Sequence, residues 1–196
     1  SPGFLVNRVL LPYLIEACLL LDEGTEKEVI DAAAKKFGMP MGPIELLDQI
    51  GLDVGLEVAE MLRQNLQATI APLPDQVAEL VEQEKLGKKK GEGFYKWEDG
   101  KPKKSNSVDT SNVTEELIDQ LILPLLNACA ECYRTEVITD LEKLDGAIIF
   151  ATGFAPFRGG PMKYAEDRGK SEVKGRLQEF ASNYGERFTP DPYWGQ

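Results

Sequence analysis

A proline-broken turn, with a short helix behind it, is written twice in this chain, and that repeat narrows the folds open to it. The first copy is Gly38-Met-Pro-Met-Gly-Pro-Ile-Glu-Leu-Leu-Asp-Gln-Ile-Gly51. Pro40 and Pro43 fix their own φ and push Met39 and Gly42 out of the α region. Pro43 suits the first position of a helix, where a missing N–H costs nothing. Glu45 then stands in the first turn, where the helix dipole favours negative charge. Gly51 is placed to end the helix in a left-handed conformation. A looser copy is Gly153-Phe-Ala-Pro-Phe-Arg-Gly-Gly-Pro-Met-Lys-Tyr-Ala-Glu-Asp-Arg-Gly169. The match extends upstream, where Leu11-Pro12-Tyr13-Leu14 echoes Leu123-Pro124-Leu125-Leu126 and Asp31 echoes Asp145. Cys18 falls near Cys129 and Cys132. The offset grows from 112 residues (Leu11 to Leu123) to 118 (Pro43 to Pro161), as loop insertions would produce. Two copies point to an internal duplication rather than a solenoid, which needs at least three repeats.

Bulk properties narrow the function. The chain has 196 residues, 42% of them hydrophobic, enough for one large or two small domains with a real core. A net charge of −11 argues against a nucleic-acid partner or an anionic membrane surface, which want basic patches. No apolar run is expected to reach the roughly 20 residues that span a bilayer. No signal peptide is visible. Three cysteines are an odd count, which fits a reducing, intracellular setting better than a disulfide framework. The chain has no histidine. That removes the commonest general base near neutral pH, the Ser-His-Asp and Cys-His nucleophile systems, and any zinc site that uses His.

In chain order, the N-terminus opens abruptly, as a fragment excised at a domain boundary would. Leu10, Leu11, Leu14, Cys18 and Leu21 recur at helical spacing and predict a buried stripe. Pro12 is expected to kink or restart that helix, leaving polar groups near Asn7 and Arg8 unpaired. Asn7 there either meets a ligand or another domain, or caps the helix, a role Asn favours. A second helix is expected over 25–37, with Thr25 and Glu28 as a capping box, Val29, Ile30, Ala33 and Phe37 in the core, and Gly38 as its stop. Another is expected over 54–67, with Leu56, Ala59, Leu62 and Leu66 on one side. Asp75 can cap a helix carrying Val77, Leu80 and Val81. Gly91-x-Gly93 follows no strand and opens no helix, so it fails the context of a dinucleotide fingerprint. Lys88–Lys90 reads as a solvated turn or, more weakly, a phosphate contact. Phe94, Tyr95 and Trp97 are expected to form a short extended segment packed on the helices.

Residues 98–112 are polar and read as a linker between a first repeat, 1–97, and a second, 113–196. Asn112 and Glu115 predict a helix start, with Pro124 interrupting a helix over 114–133. Cys129 and Cys132 read as core thiols. A helix over 141–152 capped by Asp140 or Thr139, a turn at 153–161, a short helix over 162–167 and a last helix over 173–184 complete the series. The tail from Phe188 is expected to be extended and pinned by its aromatics.

Pro2-Gly-Phe-Leu-Val-Asn-Arg8, Phe37-Gly-Met-Pro-Met-Gly-Pro-Ile-Glu-Leu-Leu-Asp48, Gly51-Leu-Asp53 and Gly87-Lys-Lys-Lys-Gly-Glu-Gly-Phe-Tyr95 resemble the C-terminal domain of (S)-3-hydroxyacyl-CoA dehydrogenases. With Gly153-Phe-Ala-Pro-Phe-Arg-Gly-Gly-Pro161, the chain resembles the two-repeat C-terminal region of the multifunctional fatty-acid β-oxidation α-subunits. The resemblance covers almost the whole chain. It implies an all-α fold of the 6-phosphogluconate dehydrogenase C-terminal type, two homologous helical subdomains packed as a pseudo-dimer. It implies that Asn7 lies at the active site and positions the substrate and the catalytic histidine of an NAD-binding domain. It places Pro40, Met41, Gly42 and Pro43 near the cleft they shape. Asp119-Gln120 stands where Asn7-Arg8 would align, so no second active site is expected.

The same resemblance implies oxidation of 3-hydroxyacyl-CoA to 3-oxoacyl-CoA with NAD+, preceded in the chain by NAD-binding and enoyl-CoA hydratase domains, with a thiolase subunit as a possible partner. The 196 residues contain neither the histidine nor a glycine-rich strand–helix turn, so they are expected to be inactive alone and to bind no NAD themselves. No Ser-Lys-Leu ends the chain, and the setting expected is the bacterial cytoplasm. Two alternatives are a non-catalytic helical module that docks to thiolase or to its own other domains, and a stand-alone acyl-CoA carrier.

Overall fold

The structure, a computed structural model, describes residues 2–65 and 70–196. Neither internal proline stops its helix. α1 runs Pro2–Asp22 with Pro12 inside, and α6 runs Glu115–Arg134 with Pro124 inside. Each forfeits a backbone hydrogen bond, at about 3 kcal/mol, and each is kept continuous by what it buries. Val9, Tyr13 and Ala17 of α1, and Leu121, Leu125 and Cys129 of α6, are fully buried, and the two helices form the main contact of the fold. The restart expected at Pro12 is therefore absent, and Asn7 lies inside α1, where it cannot cap. Arg8, expected to be unpaired, donates to Glu131 on α6 at 2.6 Å. Gly3–Asp22 is, contrary to expectation, long and apolar enough to cross a membrane, but 67% of its most apolar window is buried inside the protein. It is a core helix.

α2 spans Lys27–Phe37 and starts later than expected. Thr25 does not cap it: Glu26 holds the cap position, and the Thr25 N–H belongs to the end of α1, donating to the Leu20 carbonyl at 3.0 Å. Gly38 closes α2 at φ 129°. Pro43 opens α3 (Pro43–Ile50) and Gly51 ends it at φ 101°. α4 covers Leu52–Asn65, while Leu66 and Gln67, expected to extend it, lie outside the described residues. Asp75 is the first residue of α5 (Asp75–Glu82), and Pro74 holds the cap position. A strap over 86–97 then crosses α3 and ends in a two-residue hairpin, β1 (Trp97–Glu98) and β2 (Lys101–Pro102).

Thr114, not Asn112, caps α6, accepting from the Leu117 N–H at 3.1 Å. Asn112 is engaged instead by Asp109. α7 (Leu141–Thr152) is capped by Asp140, α8 covers Pro161–Arg168, and α9 covers Lys170–Tyr184. The tail is not extended. It folds into two 3₁₀ turns whose Phe188 and Trp194 are buried, as the expected aromatic pinning requires.

The duplicated turns are locked in the same way. Asp31 on α2 accepts the N–H groups of Ile44 and Glu45 at 2.8 and 3.1 Å. Asp145 on α7 accepts those of Met162 and Lys163 at 2.7 and 3.0 Å. Each carboxylate thus satisfies two orphan donors in the first turn of the next short helix. A glycine before the proline makes room. A Cβ on Gly42 would lie 2.1 Å from the Asp31 carboxylate, and one on Gly160 would lie 2.4 Å from the Asp145 side chain. The two turns also meet each other. Pro40 rests against Gly153, Arg158 donates to the Phe37 carbonyl at 2.9 Å, and Phe37 packs edge-on against Phe154 and Tyr164. One hydrophobic core runs through both copies.

Candidate functional site

Helical spacing puts Asn7, Leu10, Leu11 and Leu14 on one face of α1. Leu47 and Ile50 of α3, Val54, Gly55 and Val58 of α4, and Leu73 complete the walls of a cavity of about 170 Å³ beside them. Gly55 lets α4 approach α3 closely, since a Cβ there would lie 3.1 Å from Leu47. The wall is apolar except for Asn7. Asn7 is exposed and its side chain makes no hydrogen bond among the described residues. Val54 on the rim is 40% exposed, and Met61, two turns along α4, is 46% exposed. A carboxamide beside such a surface can hold a polar group of a molecule whose hydrocarbon part lies in the groove.

The same place in the second copy has different chemistry. Asp119 stands where Asn7 does, and Arg168, Glu172 and Arg176 replace Ile50, Val54 and Val58. Arg168 grips Asp119 with two hydrogen bonds of 2.8 Å, and Arg176 adds a third at 3.0 Å. Arg168 also pairs with Glu172, and Arg176 with Glu179. A planar guanidinium held bidentately by carboxylate is a closed set of donors and acceptors. The second groove stays open, at about 750 Å³, but its wall is charged rather than apolar, with Glu115, Asp119, Arg168, Glu172 and Arg176 around it.

Pro40, Met41, Gly42 and Pro43 do not line the Asn7 groove. Pro40 faces the other copy, Gly42 faces Asp31, and Pro43 starts the helix that carries Leu47 and Ile50 into the wall. The turn acts on the groove through α3. That helix is held from its other side by Asp48. Its carboxylate accepts from the N–H groups of Phe94 and Tyr95 and from the indole N–H of Trp97, each at 2.9 Å. Burial nevertheless raises the Asp48 pKa, against the pull of those donors. The Tyr95 hydroxyl donates to Asp31 at 2.7 Å. Burial likewise pushes the Asp31 carboxyl up to about 6, and the Tyr95 hydroxyl and Ile44 amide oppose it.

Gly93 therefore packs on a carboxylate, not a phosphate, since a Cβ there would run into Asp48 Oδ1, while Gly91 turns the chain at φ 78°. Lys89 pairs with Asp53 at 2.7 Å, and Lys88 lies over the Trp97 ring. These residues do not fit a dinucleotide. Cys129 and Cys132 are fully buried, with burial raising both thiols.

The apolar wall of Ile50, Val54 and Val58 escaped the sequence reading, which put the important face of α4 at Leu56, Ala59 and Leu62. The signal was present in the duplication, because the second copy turns those three positions into charges. The roles of Asp31 and Asp48 as anchors also went unread, because each acts on backbone distant in sequence.

Residues 3–97 match the model of the family described as 3-hydroxyacyl-CoA dehydrogenase, C-terminal domain. The chain is 39% identical to the fatty acid oxidation complex subunit alpha of Idiomarina loihiensis, over 97% of this chain and 28% of that protein. Its fold is similar to that of 3-hydroxybutyryl-CoA dehydrogenase from Escherichia coli K12, with a TM-score of 0.79 at 22% identity, over all of this chain and 59% of that one. The dehydrogenase part of multifunctional enzyme 1 from C. elegans gives 0.73 at 24% identity, over 100% of this chain and 47% of that one. At such identities the structural likeness is one of fold.

Proposed function

We propose that the chain is the substrate-side wall and assembly region of a 3-hydroxyacyl-CoA dehydrogenase, a reading supported by the match of residues 3–97 to the C-terminal-domain family of those enzymes. The family uses NAD, and the curated relative is a fatty acid oxidation complex subunit of which this chain spans 28%. The reaction proposed is oxidation of (S)-3-hydroxyacyl-CoA to the 3-oxoacyl-CoA. The NAD-binding domain and its catalytic histidine stand elsewhere in the enzyme, as does an enoyl-CoA hydratase region. A thiolase subunit is the proposed partner and the bacterial cytoplasm the proposed setting, in keeping with the bacterial relative.

The observation that carries this reading is the asymmetry of the two grooves. An unpartnered carboxamide edging an apolar groove suits an acyl thioester, whereas the matching pocket in the second copy, about 750 Å³, is lined by the ion-paired Asp119, Arg168 and Arg176. Asn7 is a positioning residue. It orients the substrate and the histidine that the NAD domain brings. The 40–43 turn shapes the cleft by fixing α3. The first repeat, residues 1–97, carries the site; after a linker over 98–112, the second, 113–196, serves as its built-in partner.

NADH consumption with acetoacetyl-CoA tests the proposal, first on the chain alone and then after adding a separately made NAD-binding domain of the family. The expected result is silence alone and turnover on mixing, with Asn7→Ala lowering the mixed rate more than about tenfold, since misplacing a reacting pair is costly. Activity from the chain alone would overturn the proposal. So would a mixture indifferent to Asn7→Ala.

A further inference from the structure

The duplication exposes a second asymmetry, away from Asn7. In the first copy the surface between α2 and α3 is covered by the strap. Asp31 receives the Tyr95 hydroxyl, Asp48 receives Phe94, Tyr95 and Trp97, and the Leu52 N–H donates to the Leu86 carbonyl at 2.9 Å. The corresponding surface in the second copy lies between α7 and α8, with Asp145, Glu166 and Lys170 in the places of Asp31, Asp48 and Leu52. There the chain has no second strap. It has an open groove of about 700 Å³, lined by the equivalents of the strap-bearing residues.

The groove is apolar along Ile149 and Met162 and acidic at Glu142, Asp145 and Glu166. Asp145 keeps both of its backbone bonds but receives no third donor such as Tyr95 gives Asp31. Glu166 is exposed and meets only Lys163, at 4.0 Å. Lys163, also on the wall, is shared with Asp167, and Lys170 lies at the tail end of the groove over the Tyr193 ring, donating to the Gln196 carbonyl. The tail closes one end of the groove with Tyr193 and Trp194, but the Trp194 indole bonds to Asn127 on α6 and not to the acids of α8.

We propose that the groove between α7 and α8 is a docking site for an extended peptide segment of a partner protein, bearing aromatic side chains and lysines in the pattern of the strap. The strap shows what such a surface accepts. Its amides and the Trp97 indole meet the carboxylate of the short helix, Tyr95 and Trp97 are buried against the helices, and Lys89 answers Asp53. A free segment would add chain at the groove in the same way.

A labelled peptide with the sequence of residues 86–97, Leu-Gly-Lys-Lys-Lys-Gly-Glu-Gly-Phe-Tyr-Lys-Trp, is the probe, and its fluorescence anisotropy on titration with the intact chain is the readout. The expected result is saturable one-to-one binding. Gly146→Leu fills the groove from a position where a Cβ meets nothing within 4 Å, and Glu166→Lys reverses an exposed charge. Both variants should fold, and each should weaken binding by about tenfold, the loss of one good anchor. A peptide with its Phe, Tyr and Trp replaced by Ala keeps the charge and should not bind. Three results would overturn the proposal: no saturable binding, equal binding of the aromatic-free peptide, or binding that ignores both substitutions.

Discussion

Asp48 and Glu166 occupy the same position of the same short helix in the two copies. Asp48 is fully buried and accepts three hydrogen bonds from the strap, whereas Glu166 is exposed beside Lys163. One turn of helix, reused, has become an anchor in the first copy and a surface residue in the second. The reverse holds at the other face. There the first copy presents Asn7 and an apolar groove, and the second copy lines the same place with the ion-paired Asp119, Arg168 and Arg176. What the copies share is the lock of Asp31 or Asp145 on the following helix. The shared parts hold the fold, and the parts that differ decide which face can meet another molecule.

The comparison breaks first at Asp48. Asp48→Ala leaves three donors without an acceptor, and at about 1–3 kcal/mol for each buried orphan the loss should be about 4 kcal/mol. Glu166→Ala should stay within about 0.5 kcal/mol, as exposed substitutions do. Urea midpoints measure both, and similar losses would contradict the assignment. Next, Asp31→Ala and Asp145→Ala each free two buried amides, at about 2 kcal/mol, and the first should cost about 1 kcal/mol more because it also strands the Tyr95 hydroxyl. Equal losses would mean that the strap adds nothing to the lock.

The outward faces should behave in the opposite sense. Asn7→Ala should leave stability within about 0.5 kcal/mol, yet lower the turnover of the assembled enzyme more than about tenfold. The triple change Ile50→Arg, Val54→Glu and Val58→Arg writes the second groove into the first. It should weaken use of acyl-CoA while the helical circular dichroism stays that of the parent chain. Unchanged kinetics would remove the groove from the site.

The lock should also show in the pH dependence. Burial raises the Asp31 carboxyl from 3.8 to about 6. The folded chain therefore holds that proton more tightly than the unfolded chain does. The stability it contributes is full below about pH 4 and is lost as the pH rises towards about 6. Asp31→Asn should flatten that decline in the melting temperature across the same window. A variant that keeps the slope would locate it in another group.

Much of this was legible in the residues. The helices over 27–37, 43–50 and 141–152 follow from apolar spacing and from the glycines that end them, and the two short helices opened by proline were readable in Pro43 and Pro161. The errors share a physical origin. Pro12 and Pro124 read as helix breaks because local propensity counts the lost hydrogen bond and not the packing of α1 on α6. Thr25 and Asn112 read as caps until other partners claimed them. Asn7 drew attention only through its motif, because an exposed carboxamide looks the same whether it faces water or a domain. Ile50, Val54 and Val58 were silent until the fold set them beside Asn7, and the bonds of Asp48 to residues 94–97 span more sequence than any local pattern reaches.

Amide hydrogen exchange tests the central asymmetry most directly. The chain would be followed alone and after addition of an NAD-binding domain of the family with acetoacetyl-CoA. New protection should appear in α1 around Asn7 and along the α3–α4 face, while the matching face of α6, α8 and α9 stays unchanged. Protection of both faces alike, or of the ion-paired face alone, would contradict a single substrate-side wall in the first copy.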